Sequence, residues 1–167
     1  MKQVFREVFA FHAWARARVL AAADQLPYEA LRRPVLIPGG NEDGSLHAAL
    51  AHIAATQAHW LARFQGQADH QLNGGAAFAD LRSIAQAWEG SDAAILELIA
   101  SNDLARVVRY QRAVGEDEQP LWQLLLHVSN HTTHHRAEAC AALTALGSPP
   151  ASVDFIDFTR ETKSPKG

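Results

Sequence analysis

Residues 124–136 read LLLHVSNHTTHHR, and this stretch decides the fold because it is helix-forming, apolar on one side and rich in histidine. Four of the nine histidines of the chain lie within it. Pro120 precedes the stretch, and the first position of a helix tolerates the missing N–H of proline. Gly147 follows it, where a glycine commonly ends a helix. The sequence therefore predicts one long helix between Pro120 and Gly147.

One face of this predicted helix is apolar and carries two of the histidines at its margin. At about 100° per residue, the residues on this face are Leu121, Leu125, Val128, Thr132, Ala139, Leu143 and Leu146. His135 lies roughly 40° from the centre of the face, and His131 lies roughly 80° from it. The two histidines are spaced i,i+4, so their rings point the same way and can meet one ion. A metal would satisfy both imidazoles, which cost free energy when they are buried without partners.

The helical spacing alone leaves a second interpretation open, in which these residues are surface histidines or core histidines with single hydrogen bonds. The H-E-x-x-H motif of zinc proteases is excluded, because Thr132 stands where the glutamate would be. His127 and His134 lie further round the helix, nearer solvent. Cys140 falls on the face opposite His131, so we expect a small buried apolar residue there and not a ligand.

The composition is that of a soluble globular domain. The chain has 167 residues, enough for one domain with a core, and 48% of them are apolar. The net charge is −3 and no basic block occurs, so nucleic acid is not an expected partner. No apolar run reaches membrane-spanning length and no signal peptide is evident, so we expect no membrane partner and a cytoplasmic location. A single cysteine excludes an intrachain disulfide.

Apolar residues at three- and four-residue steps predict two helices in the first half of the chain. The first spans residues 2–26, with an apolar face of Val4, Val8, Phe11, Ala15 and Val19. Residues 27–44 are predicted to be a linker without helix, because prolines and glycines recur throughout this stretch. A second helix is predicted from an N-cap at Ser45 to about Phe64. His52 and His59 share one flank of it, and neighbouring alanines would permit close approach of another helix.

The second half of the chain is predicted to contain two further long helices. Residues 65–75 form a polar connection, and the third helix runs from about residue 76 to residue 100, with a kink expected at Gly90-Ser91. Residues 103–119 are irregular, with a small hairpin turning at residues 114–117. After Gly147, apolar residues 154–160 are expected to dock on the bundle, and residues 161–167 to fray. We therefore predict an all-α four-helix bundle in a single domain, residues 1–160, with a long crossover connection that allows a metal site between facing helices.

Several motifs resemble the DinB family, which includes proteins described as DinB/YfiT-like metalloenzymes. They are SLHAALAHI at residues 45–53, PLW at residues 120–122 and HVSNHTTHHR at residues 127–136. FHAWA at residues 11–15 and DFIDF at residues 154–158 also look like family landmarks. The resemblance covers nearly the whole chain, and the HxxxHHR segment is its most specific part.

The resemblance implies that three histidines hold one divalent metal ion. It places these ligands on His52, His131 and His135. The family often has Gly-Gln after the arginine, whereas this chain has Ala137-Glu138. Glu138 is thus a candidate to orient a ligand histidine, to supply a carboxylate near the metal, or to pair with a surface cation. The resemblance gives no ligand role to the other histidines discussed here, which are His47, His59, His127 and His134.

The resemblance also implies a function in stress response or detoxification. A site with three histidines leaves a position open, and a metal at such a site lowers the pKa of a bound water or thiol. Some relatives are transferases that use low-molecular-weight thiols, so a metal-dependent thiol S-transferase is the first hypothesis. A metal-dependent hydrolase, a non-catalytic metal-binding stress protein and a dimerising interaction module are the alternatives. His12 and Glu138 are the candidate proton acceptors.

The sequence leaves the metal open and suggests a homodimer. Imidazole ligands suit zinc or nickel, which are the expected metals, and also iron or copper. The tryptophans at positions 14, 60, 88 and 122 are more than one core needs, and related bundles often pair through helix faces. We therefore expect an isologous homodimer.

Overall fold

The computed structural model describes residues 1–35, 43–67 and 77–163. These ranges are mostly helical, as predicted, with one small antiparallel hairpin. In chain order the elements are α1 Lys2–Ala23, α2 Tyr28–Arg32, α3 Leu46–Phe64, α4 Leu81–Ser101, β1 Val107–Arg112, β2 Gly115–Pro120, α5 Leu121–Ala145 and α6 Phe155–Lys163. Within the described ranges, every helix is too short or too polar to span a lipid bilayer.

The four long helices pack around a shared core. Helix α3 packs against α4 and α5, and α1 packs against the same two helices from the other side. The largest fully buried side chains are Trp88, Phe9 and Phe64. Small residues of α3 such as Ala51 and Ala54 are buried, which allows the close approach of a neighbouring helix that the sequence suggested. The contact between α3 and α5 is where the candidate site lies.

Helix α5 is held at both ends by backbone hydrogen bonds. At its start, the Leu121 and Trp122 N–H groups donate to Arg106 O and Leu104 O, so two of the otherwise unpaired N–H groups are satisfied. At its end, Gly147 N–H donates to Thr144 O and the next N–H donates to Leu143 O. Gly147 has φ +83°, and these two bonds form a Schellman motif. The predicted helix between Pro120 and Gly147 is confirmed, with Pro120 as the N-cap.

Two predictions about the first half of the chain are wrong in detail. Residues 27–44 are not free of helix, because α2 follows Pro27, a residue compatible with a helix start, and buries Leu31 in the core. Residues 36–42 of that linker lie outside the described residues. Helix α1 ends at Ala23, and its buried face uses Phe5 and Phe9, whereas Val4 is 63% exposed. The N-cap at Ser45 is confirmed, since its hydroxyl accepts from Ala48 N–H at 3.1 Å.

Helix α4 begins later than predicted. It starts at Leu81 because Asp80 caps it and forms a reciprocal capping box with Ser83. The predicted start at residue 76 and residues 68–75 of the preceding connection lie outside the described residues. The helix is continuous through Gly90, and the kink expected at Gly90-Ser91 stays a prediction.

The hairpin and the docked tail are both confirmed, with shifted limits. The hairpin turns at residues 113–114, and Tyr110 pairs with Asp117 across the two strands. Helix α6 packs on α1, where Phe158 contacts the rings of Phe11 and Trp14. It continues to Lys163, three residues beyond the predicted domain limit, and residues 164–167 lie outside the described residues.

Candidate metal centre

Three half-buried histidines from two helices meet between α3 and α5. The Nε2 atoms of His52 and His131 are 3.2 Å apart. The ring centroid of His135 is 4.5 Å from that of His52 and 4.3 Å from that of His131. One nitrogen from each residue lies within 4.8 Å of the other two. The structure thus brings together the i,i+4 pair that the helical spacing selected and the α3 histidine that only the family resemblance selected.

Burial keeps His131 in the uncharged form. Desolvation is the largest cause that lowers its pKa, followed by the neighbouring imidazoles of His135 and His52, and together they bring it to about 3. His131 is therefore neutral at pH 7. A neutral imidazole is the form that binds a metal, because its unprotonated nitrogen keeps a lone pair.

The three imidazoles fit a divalent metal. Nitrogen ligands at about 2.0–2.1 Å from a tetrahedral zinc lie about 3.3 Å from one another. The observed separation of 3.2 Å between His52 Nε2 and His131 Nε2 agrees with that spacing. Neutral nitrogen ligands suit zinc, nickel, copper and iron. The set of donor atoms therefore matches the metals expected from the sequence.

Glu138 orients one of the three histidines. The Nδ1 atom of His135 lies 2.7 Å from Glu138 Oε2, and since a carboxylate only accepts, Nδ1 carries the proton. This leaves the Nε2 lone pair of His135 available for a metal. The arrangement is the carboxylate–histidine pair that commonly supports metal ligands. Of the roles that the sequence left open for Glu138, the structure places it in contact with His135.

Glu138 also contacts His134, which creates a second group of possible ligands. His134 Nε2 lies 3.2 Å from Glu138 Oε1, and the His134 side chain is 66% exposed. The atoms of His134, His135 and Glu138 are close enough to share an ion. All three come from one helix, however, and His135 and Glu138 are already hydrogen-bonded to each other. The first group is the less exposed of the two, because all three of its members are half-buried.

His12, the other candidate proton acceptor, lies in a buried hydrogen-bond network. Its Nδ1 accepts from Arg136 at 2.8 Å, and its Nε2 lies 2.9 Å from Ser129 Oγ. Because an arginine only donates, Nδ1 is unprotonated and Nε2 donates to the serine. Burial, followed by the charge of Arg136, lowers the His12 pKa to about 3. Both nitrogens are therefore occupied, and His12 acts as a packed neutral histidine.

Arg136 is a structural feature that the sequence analysis missed. It is 5% exposed, and its guanidinium lies 4.7 Å from the ring centroid of Phe11. Within residues 1–35, 43–67 and 77–163 it forms no ion pair with a carboxylate. The position of Arg136 directly after His135 was visible in the motif. Its burial was not, because it depends on how α1 packs against α5.

The remaining described histidines lie outside the cluster. His47 is buried and accepts a hydrogen bond from Arg32 at 3.3 Å, and burial is the main cause that lowers its pKa. His59 lies beside Trp60. His127 also contacts Trp60, and its ring centroid is 6.1 Å from that of His131.

The family model that describes the DinB family matches residues 1–166. The chain belongs to the DinB family. No curated protein gives a significant match to it. DinB membership agrees with the mostly helical fold and, together with the histidine cluster, indicates a metal-binding DinB protein.

Proposed function

We propose that this DinB protein binds one divalent metal ion through His52, His131 and His135. In this proposal the four long helices α1, α3, α4 and α5 form a four-helix bundle. The ion lies between the facing helices α3 and α5, as in other metal-binding bundles. One observation carries the proposal: three imidazole nitrogens from α3 and α5 lie within 4.8 Å of one another. Zinc or nickel is the expected metal, with iron and copper as alternatives.

The surrounding residues prepare this site for ligand binding. Glu138 holds the Nδ1 proton of His135 and thereby fixes which nitrogen faces the other two histidines. Burial keeps His131 neutral, so protons compete little for its lone pair at pH 7. When bound, a divalent metal supplies a Lewis acid that favours the anionic form of a thiol or of water.

The activity that we propose is transfer of a low-molecular-weight thiol to an electrophile. In this reaction a sulfur–carbon bond forms, the leaving group departs with its bonding electrons, and the thiol proton passes to solvent. The sulfur comes from a cosubstrate, because Cys140 is half-buried against the core and burial raises its pKa. Stress response or detoxification is the setting that suits this chemistry.

A metal-dependent hydrolase is the alternative enzyme. The same site would then activate water, and the general base would have to be Glu138. That carboxylate already contacts both His134 and His135, which favours a positioning role over that of a free base. A non-catalytic metal-binding stress protein or a dimerising interaction module would show no turnover with either class of substrate.

Elemental analysis of two matched variants tests the ligand assignment. Protein is purified without a histidine tag or nickel resin, and metal is measured per chain in the wild type, His131→Ala and His134→Ala. We expect one metal in the wild type and in His134→Ala, and loss of metal in His131→Ala. Equally tight stoichiometric metal in His131→Ala would make the assignment wrong. Loss in His134→Ala alone would instead favour the group formed with Glu138.

A thiol titration of the cobalt-substituted protein separates the two enzyme hypotheses. Transfer chemistry predicts a sulfur-to-cobalt charge-transfer band that saturates with a small thiol. Absence of the band at saturating thiol, together with hydrolysis of an ester or amide, would support the hydrolase.

We also propose that the protein is a homodimer, joined through an isologous contact between helix faces. The tryptophans do not supply the argument, because Trp88 is fully buried and Trp14 packs on Phe158 within the same chain. Support comes from large apolar side chains that remain exposed, including Val4 at 63% and Leu126 at 54%. Sedimentation at micromolar concentration is expected to give a dimer, and a monomer alone would contradict it.

A further inference from the structure

A pocket of about 440 Å³ lies beside the candidate metal centre. Trp60 and Arg63 of α3, Tyr110 and Arg112 of β1 and His127 of α5 contribute to its wall. The hairpin thus covers the end of the groove between α3 and α5. The volume falls within the range of sites that bind small molecules.

The pocket begins one helical turn from His131. His127 precedes His131 by four residues, and their ring centroids are 6.1 Å apart. On the other helix, Trp60 follows His52 by two turns, and its ring centroid is 5.0 Å from that of His127. A small molecule in the pocket would therefore reach the neighbourhood of the metal centre.

The walls of the pocket favour a flat apolar ligand. Trp60 meets Tyr110 and His127 edge to face, with centroid distances of 5.2 Å and 5.0 Å. Aromatic side chains in such arrangements offer large apolar surface at fixed angles. All three rings belong to the pocket wall, so they are available to a ligand.

One positive charge in the pocket has no carboxylate partner. Arg112 pairs with Asp117 at 2.9 Å, whereas Arg63 forms no ion pair within the described part of the chain. Arg63 Nη2 donates to the Gln111 carbonyl at 2.8 Å. A guanidinium has five N–H donors, so most of its capacity remains for another acceptor.

The Arg63 guanidinium is also held in place. It lies 4.7 Å from the ring centroid of Trp60 and 5.0 Å from that of Tyr110, so stacking restricts its movement. Burial is the largest cause that lowers the Arg63 pKa, and the positive charge of Arg112 lowers it further. Tyr110 acts in the opposite direction and raises the Arg63 pKa. A bound anion would offset both lowering effects through its attraction for the guanidinium. Carboxylates match the forked geometry of a guanidinium especially well.

We propose that this pocket binds a small aromatic carboxylate, with its ring against Trp60 and Tyr110 and its carboxylate on Arg63. The occupant would be the second substrate of the enzyme, and this role rests on the function proposed above. Binding itself does not require the metal, because the five wall residues named here are not the proposed ligands.

Titration with 2-naphthoate, followed by the fluorescence anisotropy of the ligand, tests the pocket. We expect saturable binding of one molecule per chain in both chelator-treated and metal-loaded protein. Neutral 2-naphthamide, measured by competition, is expected to bind about tenfold more weakly or worse, since it lacks the charge. Arg63→Gln should weaken 2-naphthoate binding by about tenfold or more, and Arg63→Lys should give an intermediate affinity.

Arg109→Gln is the matched control on the same strand. Successive side chains of a strand point to opposite faces, so Arg109 points away from the face of Tyr110 and Arg112 and pairs with Glu118. Its substitution should leave 2-naphthoate binding unchanged. Equal binding by the wild type and both Arg63 variants would overturn the proposal, as would equal affinity for 2-naphthamide.

The test separates failure of the pocket from failure of the metal centre. Binding that needs metal and ignores Arg63→Gln would place the carboxylate at the metal and overturn the pocket alone. Conversely, Arg63-dependent binding by chelator-treated protein supports the pocket even if His131→Ala retains its metal.

Discussion

Glu138 is hydrogen-bonded to a proposed metal ligand, and we expect it to hold that ligand in its orientation. Its carboxylate accepts from His135 Nδ1 at 2.7 Å, which directs the lone pair of the other ring nitrogen away from Glu138. Glu138→Gln keeps the size of the side chain but removes the charge. We expect metal affinity to fall about 10–100-fold, as is typical when such a supporting carboxylate is changed. Competition with a chromophoric chelator measures this change.

Glu97→Gln provides the control for that measurement. Glu97 lies on α4, and its backbone carbonyl, not its carboxylate, accepts a hydrogen bond from Ser101. This substitution should leave metal affinity unchanged. An unchanged affinity in Glu138→Gln would show that the charge of Glu138 does not support metal binding.

His12 makes the stability of the protein depend on pH. Its folded-state pKa is about 3, against an ordinary 6.5, so between these values the unfolded state binds more protons. The contribution is therefore fully present above pH 6.5 and is lost as the pH falls toward 3. The free energy of unfolding should fall by up to about 1.4 kcal/mol per pH unit from this group alone.

Urea unfolding of chelator-treated protein between pH 4.5 and 7.5 tests the role of His12. His12→Gln retains an acceptor for Arg136 and a donor for Ser129 but cannot titrate. On acidification, the free energy of unfolding of His12→Gln should fall less steeply than that of the wild type. The difference in slope should be up to about 1.4 kcal/mol per pH unit, the value for one titrating group. Equal slopes in the two proteins would show that His12 is not buried as the structure has it.

At the scale of single residues, the sequence predicted some members of the candidate metal centre and not others. The i,i+4 spacing of His131 and His135 selected that pair correctly as neighbours on one helix face. His52 could not be selected by spacing, because its proximity depends on the packing of α3 against α5. The pocket around Arg63 was missed for the same reason, since it exists only where the hairpin folds over α3.

At the scale of single elements, two glycines occupy positions with different backbone conformations. Gly147 ends α5 with φ +83°, whereas Gly90 lies in the middle of α4. A Cβ atom added to either glycine meets nothing within 4 Å, so any effect of alanine is conformational. Gly147→Ala should destabilise the protein by about 1 kcal/mol, because an L-residue disfavours that conformation. Gly90→Ala should stabilise it by about 0.5–1 kcal/mol.

Chemical denaturation of the two variants side by side measures both effects. Because the two substitutions add the same methyl group, the opposite signs isolate the backbone conformation. Destabilisation by Gly90→Ala would indicate that α4 is not regular around this residue.

Element boundaries were predicted well where local signals fix them. Ser45 capped α3 and Gly147 ended α5 as expected, since both act through nearby backbone groups. Helix α2 was missed because five residues are too few for a periodic pattern, and burial of Leu31 against the other helices holds it. The face of α1 was misjudged because Val4 and Phe5 both fit an apolar stripe, and only packing decides between them.

At the scale of the whole molecule, the proposed metal links parts of the chain that are distant in sequence. His52 and His131 are separated by 79 positions, and they meet only when α3 packs against α5. The unfolded chain cannot hold the three ligands together, so the ion binds mainly to the folded state. Its binding free energy therefore adds to the stability of the entire fold.

This linkage predicts a rise in the melting temperature with added zinc. At a free zinc concentration about 1,000-fold above the dissociation constant, the gain is about 4 kcal/mol. For a chain of this size, that corresponds to an increase of roughly 8–16 °C. Differential scanning calorimetry should show this shift in the wild type and in His134→Ala, and its loss in His131→Ala. A shift of equal size in His131→Ala would mean that zinc stabilises the fold from somewhere other than the contact between α3 and α5.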